Sequence, residues 1–151
     1  MITTKSRYAL RAILDIARHQ GQGAVRRSDI ARRQDIPRYY LERILLMLRD
    51  RGMLRSRKGP GGGFVLGRPI EGLTVWDVIE AVGEGGPPLE CLVNGDPDCG
   101  RHDECDTRGV WARLYNRVRL EMRSIHLADV LRGSSRDRFE KDVDELIAGT
   151  G

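Results

Sequence analysis

The sequence predicts a mainly α-helical fold with one small β-hairpin, and three observations carry that expectation. Apolar residues recur with helical period in successive stretches, most regularly at Leu41, Ile44, Leu45 and Leu48. Between two short apolar segments lies Gly59-Pro60-Gly61-Gly62-Gly63, a run with almost no side chains that suits a tight turn. Charged residues make up 32% of the chain and aromatics only 5%, which fits a soluble, helix-rich domain with a lean core.

At 151 residues the chain is one ordinary domain, or a small one with an extension. No apolar run approaches the roughly 20 residues of a membrane span, and Lys5, Arg7 and Arg11 interrupt any signal-peptide pattern. A cytoplasmic protein with no membrane partner is expected. The net charge of +4 conceals an asymmetry. Residues 1–68 hold 16 Lys and Arg against 5 Asp and Glu, whereas residues 69–151 hold 10 against 17. A basic half joined to an acidic one suggests a polyanion-binding module attached to something else, although charge runs also serve simply as solvated faces.

Thr4 is placed to cap a first helix over residues 5–20, whose Ala9, Ala12, Ile13, Ile16 and Ala17 face the core and which Gly21 and Gly23 stop. Ser28 caps a short second helix, residues 29–34, and Asp35-Ile36 makes the turn. Pro37 suits the first position of a third helix, where its missing N–H would have no partner in any case. Leu41, Ile44, Leu45 and Leu48 seat that helix, its opposite side shows Arg38, Tyr39, Glu42, Arg43 and Arg49, and Gly52 ends it. Residues 53–56 and 64–66 read as two short strands closing the glycine-rich hairpin. Thr74 caps a further short helix to residue 82, with Trp76 read as core. Periodicity stops from Gly83 to about Asp106. Thr107 then opens a helix of roughly 20 residues with a stripe of Trp111, Leu114, Val118, Met122 and Ile125. Such a helix has no evident partner within the chain, so pairing with its copy in a second subunit, through residues 107–126, is expected. The last 20 residues, 132–151, read as a polar, marginal helix.

A short helix, a tight turn, a helix with a cation-rich outer face and a basic hairpin make a winged helix-turn-helix. In that arrangement the third helix enters the major groove of double-stranded DNA, and Arg38, Tyr39, Glu42 and Arg43, with Ser28 beside them, meet base edges and phosphates. On the wing, Arg55, Arg57 and Lys58, with Gly59 and Gly61 at the turn, neutralise phosphates or probe the minor groove. A nucleotide-cradling loop would need Lys-Ser/Thr and a helix after the glycines, and Phe64-Val65-Leu66 follows instead. A purely structural basic hairpin remains the plain alternative.

All three cysteines fall in the acidic, Gly/Pro-rich stretch, spaced Cys91-x7-Cys99-x5-Cys105. An odd number cannot all pair within one chain, and a reducing cytosol disfavours disulfides. Thiols on one irregular loop can converge on one centre, and soft thiolates suit an iron–sulfur cluster or zinc, although the paired C-x2-C knuckles of zinc ribbons are missing. Either centre needs a fourth ligand, for which His102 is the nearest imidazole. On spacing alone, a metal centre and unligated, redox-reactive thiols stand level. With only His19, His102 and His126, no H-E-x-x-H and no nucleophile elbow, the chain shows no catalytic constellation and an enzyme is not expected.

Taken together, residues 5–10 (Lys-Ser-Arg-Tyr-Ala-Leu), 36–42 (Ile-Pro-Arg-Tyr-Tyr-Leu-Glu), 56–64 (Ser-Arg-Lys-Gly-Pro-Gly-Gly-Gly-Phe), the three cysteines and Val110-Trp111 resemble the bacterial IscR/NsrR/RirA regulators of the Rrf family, from residue 2 to about residue 131. The resemblance implies a homodimeric transcription regulator. Its affinity for operator DNA would depend on an iron–sulfur cluster, [2Fe-2S] or [4Fe-4S], held by Cys91, Cys99 and Cys105 and reporting iron, redox state or nitric oxide. Glu42 matches the family's recognition-helix glutamate, Lys58 stands where the IscR-like wing has an arginine, and Tyr39 replaces a smaller polar residue. Arg108 stands where IscR-like proteins place a histidine ligand, and Arg7-Tyr8 where NsrR-like ones offer a carboxylate from the partner. The seven-residue first gap is closer to RirA-like spacing. The fourth ligand is thus open, with His102 the candidate. A cluster-free regulator responding through thiol oxidation, a small molecule or a partner protein is the alternative. The expected organisation is a DNA-binding domain at 1–82, a cysteine-bearing sensor loop at 83–106, a dimerisation helix region at 107–131 and a tail at 132–151.

Overall fold

The computed structural model describes residues 2–87, 89–92, 101, 104–133 and 148. Three helices come first: α1 (Thr4–His19), α2 (Arg27–Gln34) and α3 (Arg38–Asp50). The hairpin β1 (Leu54–Arg57) and β2 (Gly63–Leu66) follows, then α4 (Val75–Ala81), the long α5 (Arg108–Ser124) and the short α6 (Leu127–Leu131). The fold class is the predicted one. The expected polar tail lies outside the described residues apart from a few positions.

Three expected helix starts shift, each for a physical reason. Thr3, not Thr4, caps α1: its side chain accepts from the Lys5 N–H at 3.1 Å while the Ser6 hydroxyl oxygen accepts from the Thr3 N–H at 3.0 Å. That reciprocal pair needs a polar residue three positions on, and only Thr3 has a serine there. Ser28 lies inside α2 rather than capping it, because Val25 arrives as a strand and the extended Arg26 takes the cap position. Pro37 also caps rather than opens α3, its carbonyl accepting from the N–H groups of Tyr40 and Leu41 at 3.0 and 2.9 Å. The turn before it is closed by Asp35 in the left-handed region (φ 50°), with the Ile36 N–H donating to Ala31.

The main core is a single cluster. Ala9, Ala12, Ile13 and Ile16 of α1 pack against Leu41, Ile44, Leu45 and Leu48 of α3, and Leu73, Val78, Val82 and Leu127 close the other side. α4 presents two faces. Val78 and Ala81 join that cluster, while Trp76 and Ile79 form a smaller one with Met122 of α5. The long helix therefore does find a partner within the chain, at its C-terminal end, contrary to expectation. The chain after it is fixed by a bridge between Thr74 and His126, with the Val75 N–H donating to Ile125 at 3.0 Å and the Leu127 N–H to Leu73 at 2.9 Å.

Among the described residues, one charged group is sealed inside this assembly. Asp15 is 1% exposed. Its carboxylate accepts from Arg33 at 3.0 and 2.6 Å and from the Gln34 side chain at 2.9 Å, tying α1 to the end of α2. Burial alone would raise its pKa, but the Arg33 and Gln34 hydrogen bonds and the charges of Arg33 and His19 together leave it below the usual carboxylate value. A depressed pKa contributes stability that is complete above the unfolded-state value, near 4, and is lost as pH falls through the folded-state value. Asp15→Asn should therefore cost about 2 kcal/mol at neutral pH, the scale of hydrogen bonds to a charged group, because the Arg33 left behind is partly solvated. In thermal melts across pH, the gap between variant and wild type should narrow as the medium is acidified below about pH 4.

Candidate nucleic-acid interface and thiol loop

The outer side of α3 carries the predicted set. Arg38, Tyr39, Glu42 and Arg43 are all exposed, Tyr39 at 72% despite its size. Tyr39 is braced from behind, its ring meeting Tyr40 edge-on at 6.1 Å, and Tyr40 in turn meeting Tyr8 of α1 at 5.7 Å. Glu42 accepts an ion pair from Arg27, at the first turn of α2, at 2.5 Å. Both side chains are solvated, so the pair adds little stability. Its consequence is orientation, since it fixes the one carboxylate on the face and lessens its repulsion of phosphate. Arg27 is a residue the sequence reading missed, because nothing local links it to Glu42. Arg43 stands on the other flank, lining a recess of about 170 Å³ with Lys5, Tyr40 and Met47. Ser28 is exposed on the first turn of α2.

The wing is an antiparallel pair in the register Leu54↔Leu66 to Arg57↔Gly63. Arg55, Arg57 and Lys58 are exposed along it, and Gly59 and Gly61 take positive φ (88° and 75°) in the turn. Its second strand is anchored by Val25, whose N–H donates to the Phe64 carbonyl at 2.9 Å and whose carbonyl accepts from the Phe64 N–H at 2.8 Å. Gly63 makes that approach possible, since a Cβ there would stand 2.4 Å from the Val25 carbonyl oxygen.

Cys91 lies in a single 3-10 turn and Cys105 just before α5, both half-buried and unpaired. Cys99 and His102 lie outside the described residues. Arg108 spans the two described thiol residues: its backbone N–H donates to the Cys105 carbonyl and its Nε to the Cys91 carbonyl, both at 3.2 Å. Thr107 occupies the cap position of α5 but makes no side-chain cap bond; its hydroxyl is 3.4 Å from the Cys105 sulfur instead. That contact, with the N–H groups of Thr107 and Arg108, holds the Cys105 thiol below its ordinary pKa. The start of the loop is tied down too. Glu84 accepts from the Thr3 hydroxyl and lies 3.6 Å from Lys5, and the Tyr115 hydroxyl of α5 donates to the Gly85 carbonyl at 2.5 Å. Among the described residues, no three His, Cys, Asp or Glu side chains gather as a metal-binding group.

A helix-turn-helix, a basic two-stranded wing pinned beside it and one long helix beyond define a winged-helix DNA-binding regulator. The chain belongs to the Rrf2 family, described as an iron-dependent transcriptional regulator, whose model matches residues 2–133. The curated relatives are regulators, not enzymes. The transcriptional regulator IscR of Xenorhabdus nematophila is 38% identical over 131 residues, covering 87% of this chain and 79% of its own. IscR of Photobacterium profundum is 34% identical over 149 residues, covering 99% and 86%. Among solved structures, T. potens IscR superposes with a TM-score of 0.70 at 30% identity, covering 89% of this chain and 88% of its own. CymR, the global cysteine regulator of B. subtilis, gives 0.71 at 29% identity, covering 87% and 96%. No described helix is long and apolar enough to cross a membrane.

Gly63→Ala should push β2 away from Val25 and unseat the wing. We expect duplex-DNA affinity to fall tenfold or more in a fluorescence anisotropy titration, with the far-UV helical signal retained.

Proposed function

We propose that this chain is a homodimeric transcription regulator whose operator affinity is tuned by an iron–sulfur cluster at Cys91, Cys99 and Cys105. The observation that carries the reading is the placement of the thiols. Cys105 directly precedes α5, Cys91 is fastened to the first residue of α5 through Arg108, and the loop's start is fastened to α1 and α5 through Glu84 and Gly85. The donor chemistry fits, with two unpaired, half-buried soft thiols held at one end of α5 and a third between them in sequence. His102 is proposed as the fourth ligand. When bound, the cluster supplies a centre that iron supply, oxidants or nitric oxide can alter. The chain's own part is to join that loop to α1 of the DNA-binding unit and to α5, which packs on α4.

Arg38, Tyr39, Glu42 and Arg43 with Ser28, and Arg55, Arg57, Lys58, Gly59 and Gly61, are proposed as the DNA-contacting set, with Arg27 acting on it through Glu42. A phosphate contact made by Arg57 or Lys58 is worth about one unit of salt slope and no sequence preference. The dimer reading rests on α5, where Val110, Trp111, Leu114 and Val118 are 37–53% exposed on a helix whose other end is packed. The neighbouring structures favour keeping the second reading, a cluster-free regulator acting through its thiols, a small molecule or a partner: one solved neighbour is Staphylococcus aureus CymR in an oxidized form, 28% identical with a TM-score of 0.67.

Anaerobic reconstitution followed by DNA titration separates the two. Holo protein should differ from apo and Cys99→Ala protein in operator affinity by tenfold or more, a coupling of about 1.4 kcal/mol. Equal affinity for all three would remove the cluster from the mechanism and leave DNA binding standing. Independently, Leu114→Asp should convert dimer to monomer in sedimentation velocity and weaken operator binding, while each monomer stays folded.

A further inference from the structure

The thiol loop is closed by something other than a metal. Cys91 and Cys105 are 14 positions apart in the sequence, and the ends of a segment of that length stay together only where contacts hold them. Arg108 supplies the closure. One residue donates from its backbone to the Cys105 carbonyl and from its side chain to the Cys91 carbonyl, both at 3.2 Å, across a sequence separation of 17. A guanidinium suits the task, because its planar fork is pre-organised and loses less freedom per bond than an ammonium. It cannot itself be a ligand.

We infer that Arg108 is a positioning residue for the thiol pair, keeping Cys91 beside the root of Cys105 whether or not a cluster is bound. The inference deepens the reading of this loop as the responsive site, but its own content is geometric. On loss of a cluster the two outer thiols stay assembled, at an effective concentration far above that of a free loop. They are then ready either to accept a centre again or to join to each other. Joining removes one hydrogen from each thiol and forms one S–S bond, with a diazene oxidant such as diamide taking up both hydrogens to become the hydrazine.

The test uses the full chain, metal-free, with Cys99→Ser so that only the outer thiols remain. Diamide is added at low protein concentration, and the intrachain Cys91–Cys105 link is followed by alkylation trapping and peptide mass spectrometry. Arg108→Ala should slow the link tenfold or more, and Arg108→Lys, which keeps a charged donor, should recover part of the rate. The single-thiol alkylation rates of Cys91 and Cys105 should change by less than twofold in both variants. Unchanged linking in Arg108→Ala overturns the inference. So does a fall matched by slower alkylation, since Arg108 would then act on thiol reactivity rather than position. No iron and no DNA enter the assay, so its failure would leave the regulator reading intact, and failure of the cluster titration would leave this one intact.

Discussion

Two backbone hydrogen bonds between Val25 and Phe64, 2.9 and 2.8 Å long, turn a free hairpin into a wing. A two-stranded ribbon is marginal in water by itself and needs a third segment or a packing face. Here the third segment is the residue that leads into α2, so one contact both stabilises the wing and sets where the helix-turn-helix begins. The cations of β1 and the first turn of α2 are consequently held in fixed relation. Gly63 is the condition for this contact, because any side chain would occupy the space of the Val25 carbonyl.

A second constraint runs from the other end of the chain. α4 is only seven residues long, yet it is buried on two sides, through Val78 and Ala81 toward α1 and through Trp76 and Ile79 toward Met122. Such a helix has little freedom to move relative to either neighbour, since interiors pack densely and rearrange in steps rather than by continuous drift. Glu84, just beyond it, reaches back to Thr3 and Lys5 at the start of α1. A change in the loop that follows is thus mechanically close to α1, the helix against which α3 is seated.

Much of this was legible in the residues. The apolar periods located α1, α3, α4 and α5, and the glycine run located the hairpin, because burial patterns and backbone permissiveness are local properties. The helix starts were less legible. Thr3 and Thr4 differ only in what lies three residues on, and the start of α2 depends on a strand contact made 39 positions away, between Val25 and Phe64. The Asp15–Arg33 pair and the Arg27–Glu42 pair were invisible for the same reason: each joins groups that only a helix crossing brings together. The Thr107 hydroxyl went to a sulfur instead of a backbone N–H, a competition that composition cannot decide. At the candidate site, the exposed cations of α3 and the wing and the thiols flanking the loop could be listed from sequence. The clasp made by Arg108 could not, since its value lies in reaching a carbonyl 17 residues back.

The charge pattern of α5 bears on how two copies would meet. Along α5 stand Arg113, Arg117, Arg119 and Arg123, and Glu121 is the one acidic residue among them. Two such helices laid side by side in parallel would bring like charges into register along their whole length. Laid antiparallel about a two-fold axis, the arginine-rich C-terminal end of each would lie beside the other's approach to α5, where Glu104 and Asp106 are exposed. Opposite charges would then meet at both ends while Trp111, Leu114 and Val118 meet in the middle. The same geometry would place each copy's thiol loop near its partner's packed helix end. On the proposed dimer, that pairing would bring the cysteine-bearing stretch and the apolar stripe of α5 together.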